Sequence, residues 1–390
     1  MKKCWKKTAW FLGMLAVVLG ITACSVDTKK DAAKDTAQDA SQDTSLRVLS
    51  FNLRMDFVLN GRLLSAASLN RIQAVQEQIL SYEPDLIGFQ EDVQNWIDNL
   101  VFDEENYTRY LPDEKMTSET AEYCSICVKK GINVKDSGWQ WITSDKTGDS
   151  VALTYEELTD GDGEFELSMQ ELAELGISNN ASLKEKYVDQ NTRKSYGSKL
   201  AARLMNYVVI EQNGRTVLYV NTHFQHRGYN NKSYDEHPLY KLRYYERCAQ
   251  FQMLQEKISQ LQVEYPDAAV ILTGDFNDTQ DSEFYTYVSE FYTDSKRVAK
   301  SDESPDNTWN AAYNNDKQGQ GYTASNEGEI VNRIDFCFVS EELKEQVDAY
   351  QVGECYWILE QATATLGENI KVYPSDHLPV VVDLRLEKEE

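Results

Sequence analysis

From residue 46 onward, apolar positions fall into short continuous or alternating runs, separated by stretches in which they recur every three to four residues. "LRVLSFNLR" (46–54) predicts a strand. "NRIQAVQEQILSYEPD" (70–85) has helical spacing and stops at Pro84, and "LIGFQED" (86–92) predicts a short buried strand that exposes acids at its end. These three form a βαβ-like opening. Farther on, "RLMNYVVIEQNGRTVLYVNTHF" (203–224) predicts two strands joined by a turn at Asn213-Gly214. An amphipathic helix, "YYERCAQFQMLQEKISQLQ" (244–262), follows, and "AAVILTGDFND", "RIDFCFVS" and "LPVVVDLRL" predict three more strands. Residues 156–195 break the rhythm, being polar and acidic with a weak helical pattern. They are expected to be an insertion in a single α/β domain spanning 46–390.

The chain before residue 46 follows different rules. "MKKCWKK" is a basic start, "TAWFLGMLAVVLG" an apolar stretch, and "ITAC" ends in small residues at a cysteine. Residues 1–24 thus resemble a bacterial lipoprotein signal, which implies that Cys24 is the lipidated first residue of the mature chain. The alternative is an uncleaved anchor helix, but an apolar run of about 16 residues is shorter than the roughly 20 that span hydrocarbon. Residues 25–45 hold no aromatic side chain and have little to bury, so they predict a solvated tether; the aspartates recurring every four residues repel one another. The expected location is the extracellular face of the cytoplasmic membrane, reached through a lipid anchor.

Composition narrows the partners. At 41% hydrophobic residues the chain can bury a large core, which excludes disorder throughout. A net charge of −25 excludes non-specific coating of nucleic acid, which is expected only as a substrate. A monomer is expected. Beyond Cys4 and Cys24 there remain Cys124, Cys127, Cys248, Cys337 and Cys355, an odd number in apolar segments that predicts buried free thiols. Cys124 and Cys127 have the spacing of a metal knuckle, yet no second Cys or His pair accompanies them.

The chemistry gathers where strands end. Asn52, Glu91, His223, Asp275, Asn277, Asp335, Asp376 and His377 each lie within or just beyond an apolar strand, where an unpaired polar group is costly to bury. Any one of them alone is explained by a turn or a satisfied core group. Together, several carboxylates, two amides and two histidines suit a hard divalent cation and an anionic, phosphoryl-like transition state.

In order, "SFNLR", "GFQED", "VNTHF", "LTGDFND", "RIDFCFVS" and "PSDHLPVVVDL" resemble the successive motifs of the endonuclease/exonuclease/phosphatase superfamily, over about residues 46–386. The resemblance implies a four-layer α/β sandwich, two packed mixed β-sheets flanked by helices. It also implies a Mg²⁺-dependent phosphoesterase, with Mn²⁺ as a substitute, acting on a phosphate ester. Glu91 would be the main metal ligand with Asn52 beside it, and Asp376 would join the metal and its water. Asp275 and Asn277 would orient the attacking water, and His223 would bond a phosphate oxygen. His377, held by Asp335, would be the base or an electrostatic partner. Arg203 stands where relatives often carry an active-site arginine. His226 receives no role, because Gln225 precedes it where relatives often have an aspartate.

Substrate choice is expected in the loops. Residues 226–247 interleave tyrosines with Lys and Arg, and would either stack bases or grip phosphate or be a solvated loop with incidental tyrosines. Trp139 and Trp141 would wall a pocket or pack in the core. The competing class is a catalytically inactive surface binding or adhesion lipoprotein of the same fold; the intact set of eight residues favours the enzyme. Among nucleic acid, nucleotide, phospholipid and sugar phosphate, the substrate is left open.

Overall fold

A computed structural model describes residues 44–387, apart from 56, 60–61, 65–68, 101–104, 114–121, 144–151, 154–193, 196–201, 228–237, 303, 305–306, 311–321, 324–330 and 359–370. The signal and nearly all of the 25–45 tether and the 156–195 insertion therefore lie outside the described residues, although Ser45 already belongs to the first strand. The main elements are β1 (Ser45–Asn52), α1 (Leu69–Ser81), β2 (Leu86–Gln90), β3 (Tyr107–Tyr110), β4 (Ile126–Lys129), β5 (Asn133–Trp141), β6 (Leu204–Gln212) and β7 (Arg215–His223). These are followed by α2 (Pro238–Glu264), β8 (Ala269–Asp275), α3 (Glu283–Ser289), β9 (Thr293–Asp294), β10 (Ser301–Asp302), β11 (Asp335–Val339), β12 (Val347–Val352) and β13 (Val380–Arg385). The α2 helix starts six residues before the apolar pattern that predicts it, with Pro238 at the first position, where its missing N–H costs nothing.

The strands form two mixed sheets, in the orders β10-β12-β13-β1-β2-β4-β3 and β9-β11-β8-β7-β6-β5. In the first, β1 runs parallel to β2; in the second, β7 runs parallel to β8. Alternation along each strand separates three apolar layers. Leu46, Val48, Tyr219, Val217, Ala269 and Ile271 meet between the sheets. Leu49, Phe51 and Ile87 face outward under Val75 and Ile79 of α1. Leu218, Val220, Val270 and Leu272 face Phe251, Leu254 and Ile258 of α2. Each fully buried Val, Leu, Ile or Phe among these contributes about 1.5–3 kcal/mol. The result is the expected four-layer α/β sandwich.

The layer between the sheets changes character along its length. On β7 the inward positions run Val217, Tyr219, Asn221, His223, and on β8 they run Ala269, Ile271, Thr273, Asp275, so both turn polar toward the strand ends while remaining buried. Buried polar groups need partners. The Asn221 amide donates to the carbonyls of Phe89 at 2.8 Å and Cys124 at 3.0 Å, and its oxygen accepts from Gln90 Nε2 at 2.7 Å. This amide network joins the sheets directly beneath one end of the sandwich, where the candidate groups gather.

Candidate active site

Asp275 closes β8 opposite two other strand ends, paired in register with His223 on β7 and Asp335 on β11. Its Oδ2 accepts from Asn52 Nδ2 at 3.0 Å and lies 3.3 Å from His223 Nε2 and 3.7 Å from His377 Nε2. Its Oδ1 accepts from the Asn277 backbone N–H at 2.8 Å. Burial alone would raise the Asp275 pKa, but His223 and His377 hold it well below the usual carboxylate range. One carboxylate oxygen is thus the meeting point of an amide and two imidazoles.

The turns that deliver these groups are conformationally demanding. Arg54, Glu91 and Asn277 all have positive φ, at 57°, 55° and 53°. Such left-handed residues persist where surrounding contacts over-determine them, and they gather at functional sites. Glu91 is held by its carboxylate, which accepts from Asn52 Nδ2 at 3.1 Å and from the Met55 N–H at 2.8 Å.

Each histidine is backed by its own acid. His223 Nδ1 donates to Glu122 Oε2 at 2.9 Å. Arg203 Nη1 lies 2.7 Å from the same nitrogen and is ion-paired with Glu122, so the carboxylate is the partner of both cations. Glu122 is buried, which by itself raises its pKa; His223 and Arg203 outweigh this and lower it to about 2. For His223, burial and Arg203 oppose the charge, but Glu122 and Asp275 raise its pKa to about 9. Asn277 Nδ2 lies 2.7 Å from His223 Nε2 and donates to the Phe224 carbonyl at 3.0 Å.

On the other side, His377 Nδ1 donates to Asp335 Oδ2 at 2.9 Å, as expected from "RIDF" and "PSDH". Thr308 Oγ1 accepts from the Asp335 N–H at 3.0 Å, and Trp309 forms an isolated bridge with His377. Burial opposes the charge on His377, but Asp335 and Asp275 raise its pKa to about 10. Of its two expected roles, base or electrostatic partner, a raised pKa favours the second. Asp376 is engaged by Arg54 at 3.7 Å and accepts from Trp309 Nε1 at 3.2 Å, with His377 Nε2 4.0 Å away.

Among the described residues, two groups of side chains bring ligand atoms within 4.8 Å of one another: Glu91, His223 and Asp275; and Asp275, Asp335 and His377. The second is already compensated by the His377–Asp335 pair. The first fits a hard cation. Glu91 and Asp275 are bridged only by the neutral Asn52 amide, and Glu91 accepts from amide N–H groups with no cationic partner among the described residues. The Glu91 charge, which has no counter-charge among the described residues, together with the oxygen donors beside it, is what Mg²⁺ or Mn²⁺ takes. Asp376, expected among the ligands, is in neither group.

Six of the other seven strand-end residues thus surround Asp275 Oδ2 or bond its neighbours, with Asp376 beside them, and Arg203 joins through Glu122. Glu122 itself is the partner that sequence reasoning missed, although an acid just ahead of the apolar "YCSICV" carried the same signal as the others. Trp309 and Thr308 were missed too, lying in a stretch without pattern. Trp139 and Trp141 stack edge to face with each other at 5.5 Å and pack against Tyr123, Cys124 and Leu204. Trp139 also lines a cavity of about 400 Å³ with Tyr110, Asp113, Asn206 and Tyr207. The basic loop is corrected where it is described: Arg243 and Arg247 are buried in ion pairs with Glu246 and Asp278 rather than presented to substrate. All five expected thiols are free, and Cys124 and Cys127 are pushed up in pKa by burial.

The chain matches the sequence profile of the Endonuclease/Exonuclease/phosphatase family over residues 49–377. Solved structures with a similar fold include an endonuclease/exonuclease/phosphatase from Bacteroides vulgatus, with TM-score 0.52 and 19% identity over 88% of this chain and 99% of that one. A truncated TDP2 from Caenorhabditis elegans has TM-score 0.53 and 19% identity, over 88% and 98%. A mannosyl-6-phosphatase from Bacteroides thetaiotaomicron has TM-score 0.52 and 18% identity, over 86% and 98%. No curated protein sequence matches the chain.

Proposed function

The chain belongs to the endonuclease/exonuclease/phosphatase family, and from that premise we propose that it is a metal-dependent phosphoesterase that hydrolyses a phosphodiester or phosphomonoester by in-line attack of water. What carries the reading is the convergence on Asp275 Oδ2 of Asn52 and two imidazoles, each imidazole backed by its own acid. Mg²⁺ or Mn²⁺, which Glu91 and Asp275 would hold, would supply positive charge to a phosphate oxygen. Asp275, kept ionised by its neighbours, is suited to orient the attacking water by accepting its hydrogen bond. His223 and His377 carry protons at neutral pH, so both suit donation to phosphoryl or leaving-group oxygens. Glu122 and Asp335 fix the rings, as the acid does in a hydrolase triad. A phosphoenzyme is disfavoured: Ser375 is fully buried and donates to the Asn52 carbonyl at 2.7 Å, and burial raises the pKa of Cys124.

The decisive assay is release of phosphate or alcohol from nucleotides, oligonucleotides, phospholipids and sugar phosphates, each with Mg²⁺ and with excess chelator. Sugar phosphates belong in it because one neighbour in fold is a mannosyl-6-phosphatase. Chelator-sensitive turnover of at least one class is expected; none with any would overturn the reading. The "ITAC" sequence supports tethering through Cys24 to the outer face of the cytoplasmic membrane. Cys24→Ser is expected to leave the membrane fraction, and unchanged partitioning and processing would refute the lipid anchor.

A further inference from the structure

We propose that Arg247 of α2 is a positioning residue that holds together the two strand ends carrying His223 and Asp275; the inference rests on the hydrolase reading for its kinetic consequence. The α2 helix is the crossover between the parallel strands β7 and β8, and the ladder between them ends with the His223–Asp275 pair. Beyond it only the Phe224 N–H, donating to the Asp275 carbonyl at 3.0 Å, continues the pairing. The backbones then part, and apart from the Asn277 side-chain bond to the Phe224 carbonyl at 3.0 Å a second device sets Asn277 against His223.

That device reaches from the helix. Arg247 Nη1 donates to the Gln225 carbonyl, two residues past His223, at 3.2 Å; Nη2 donates to Asp278 Oδ2, one residue past Asn277, at 2.7 Å. One planar fork thus grips both chains, a geometry that a lysine ammonium does not reproduce. Three residues on, Gln250 Oε1 accepts from the Gln225 N–H at 2.9 Å. The guanidinium is fully buried and sits 5.5 Å over Phe284, whose ring packs on Phe224 at 5.3 Å and Phe276 at 6.3 Å, one from each strand end. The clamp fixes the separation across which Asn277 Nδ2 meets His223 Nε2 at 2.7 Å. Reaction rates depend steeply on such placements.

Arg243 provides the control. It is equally buried on the same helix, yet among the described residues its hydrogen bond is to Glu246 at 3.1 Å and not to Gln225 or Asp278. Arg247→Met, Arg247→Lys and Arg243→Met are compared on the best substrate of the wild type, per folded molecule. Arg247→Met is expected to lose at least about tenfold in kcat with KM within about twofold, and Arg247→Lys to recover part of it. Arg243→Met is expected to lose stability but keep its kcat. Hydrogen exchange gives a readout independent of turnover: peptides covering 224–226 and 276–279 are expected to exchange faster in Arg247→Met and not in Arg243→Met. Retained kcat in Arg247→Met, an equal kcat loss in Arg243→Met, or unchanged exchange at both peptides would overturn the clamp. If the wild type hydrolyses no phosphoester, the hydrolase reading fails separately, and the exchange comparison alone decides on the clamp.

Discussion

Between Asp335 at 2.9 Å and Asp275 at 3.7 Å, the His377 imidazole is buried yet carries a proton that an unfolded chain would release. Its pKa rises from 6.5 to about 10, so the folded state binds the extra proton across that window. A raised folded pKa contributes stability that is fully present below 6.5 and lost as pH rises through about 10. For chelated protein, the unfolding free energy from urea titrations between pH 7 and 9 is therefore expected to fall more steeply in the wild type than in His377→Gln. The difference should approach about 1.4 kcal/mol per pH unit, one proton's worth. Equal slopes would mean that the ring is neutral. Glu91 makes the complementary case. Glu91→Gln keeps an acceptor for Asn52 but removes the charge, so circular dichroism is expected to be unchanged while kcat/KM falls at least about a hundredfold, about 2.7 kcal/mol. Full activity in that variant, at any Mg²⁺ concentration, would remove Glu91 from the metal site.

At the scale of elements, the site depends on how closely β7 and β8 approach at their ends. Gly274 has φ of 151°, and a Cβ there would lie 2.0 Å from the Thr222 carbonyl oxygen on β7. Both the dihedral and the contact exclude a side chain. Gly274→Ala is expected to destabilise by at least about 2 kcal/mol, measured as a shift in urea midpoint, and to impair turnover by moving Asp275. A stable, fully active variant would show that the strand ends tolerate separation. This element was legible in outline: "LTGDFND" announces a strand that ends in polar residues, and the alternation of Val217, Tyr219, Asn221 and His223 shows the face on which they lie. The partners were less legible. Glu122 and Asp335 both precede apolar strands, but only the register of β11 against β8, and the approach of β4's leading segment to β7, decide which histidine each one holds. Arg203 was named for its position, whereas its role through Glu122 is a matter of burial. Arg247 looked like part of a basic loop because a sequence does not reveal that a helix turns its arginines inward.

Over the whole molecule, 64 acidic side chains against 39 basic ones set the long-range field that an anionic substrate meets on approach. The described cations near the site do not reverse it: Arg54 is paired with Asp376, Arg203 with Glu122, and Arg247 with Asp278. Positive charge would then be local, coming from His223, His377 and a bound divalent ion, and such charge reaches one phosphoryl group rather than a backbone. The binding of long polyanions is governed by how many phosphates a protein neutralises, with a slope of log affinity on log salt near −0.9 per contact for duplex DNA. With one or two contacts, the slope for any duplex that this protein binds is expected to be no steeper than about −2. Competition against a small phosphoester should accordingly be no stronger for a long duplex than for a short one at equal phosphate concentration. The measurement is inhibition across a salt series with duplexes of two lengths and Ca²⁺ in place of Mg²⁺. A slope several times steeper, or much tighter inhibition by the long duplex, would show a continuous basic track and make nucleic acid the favoured substrate. The expected shallow slope would instead leave selection to groups within reach of a single phosphate.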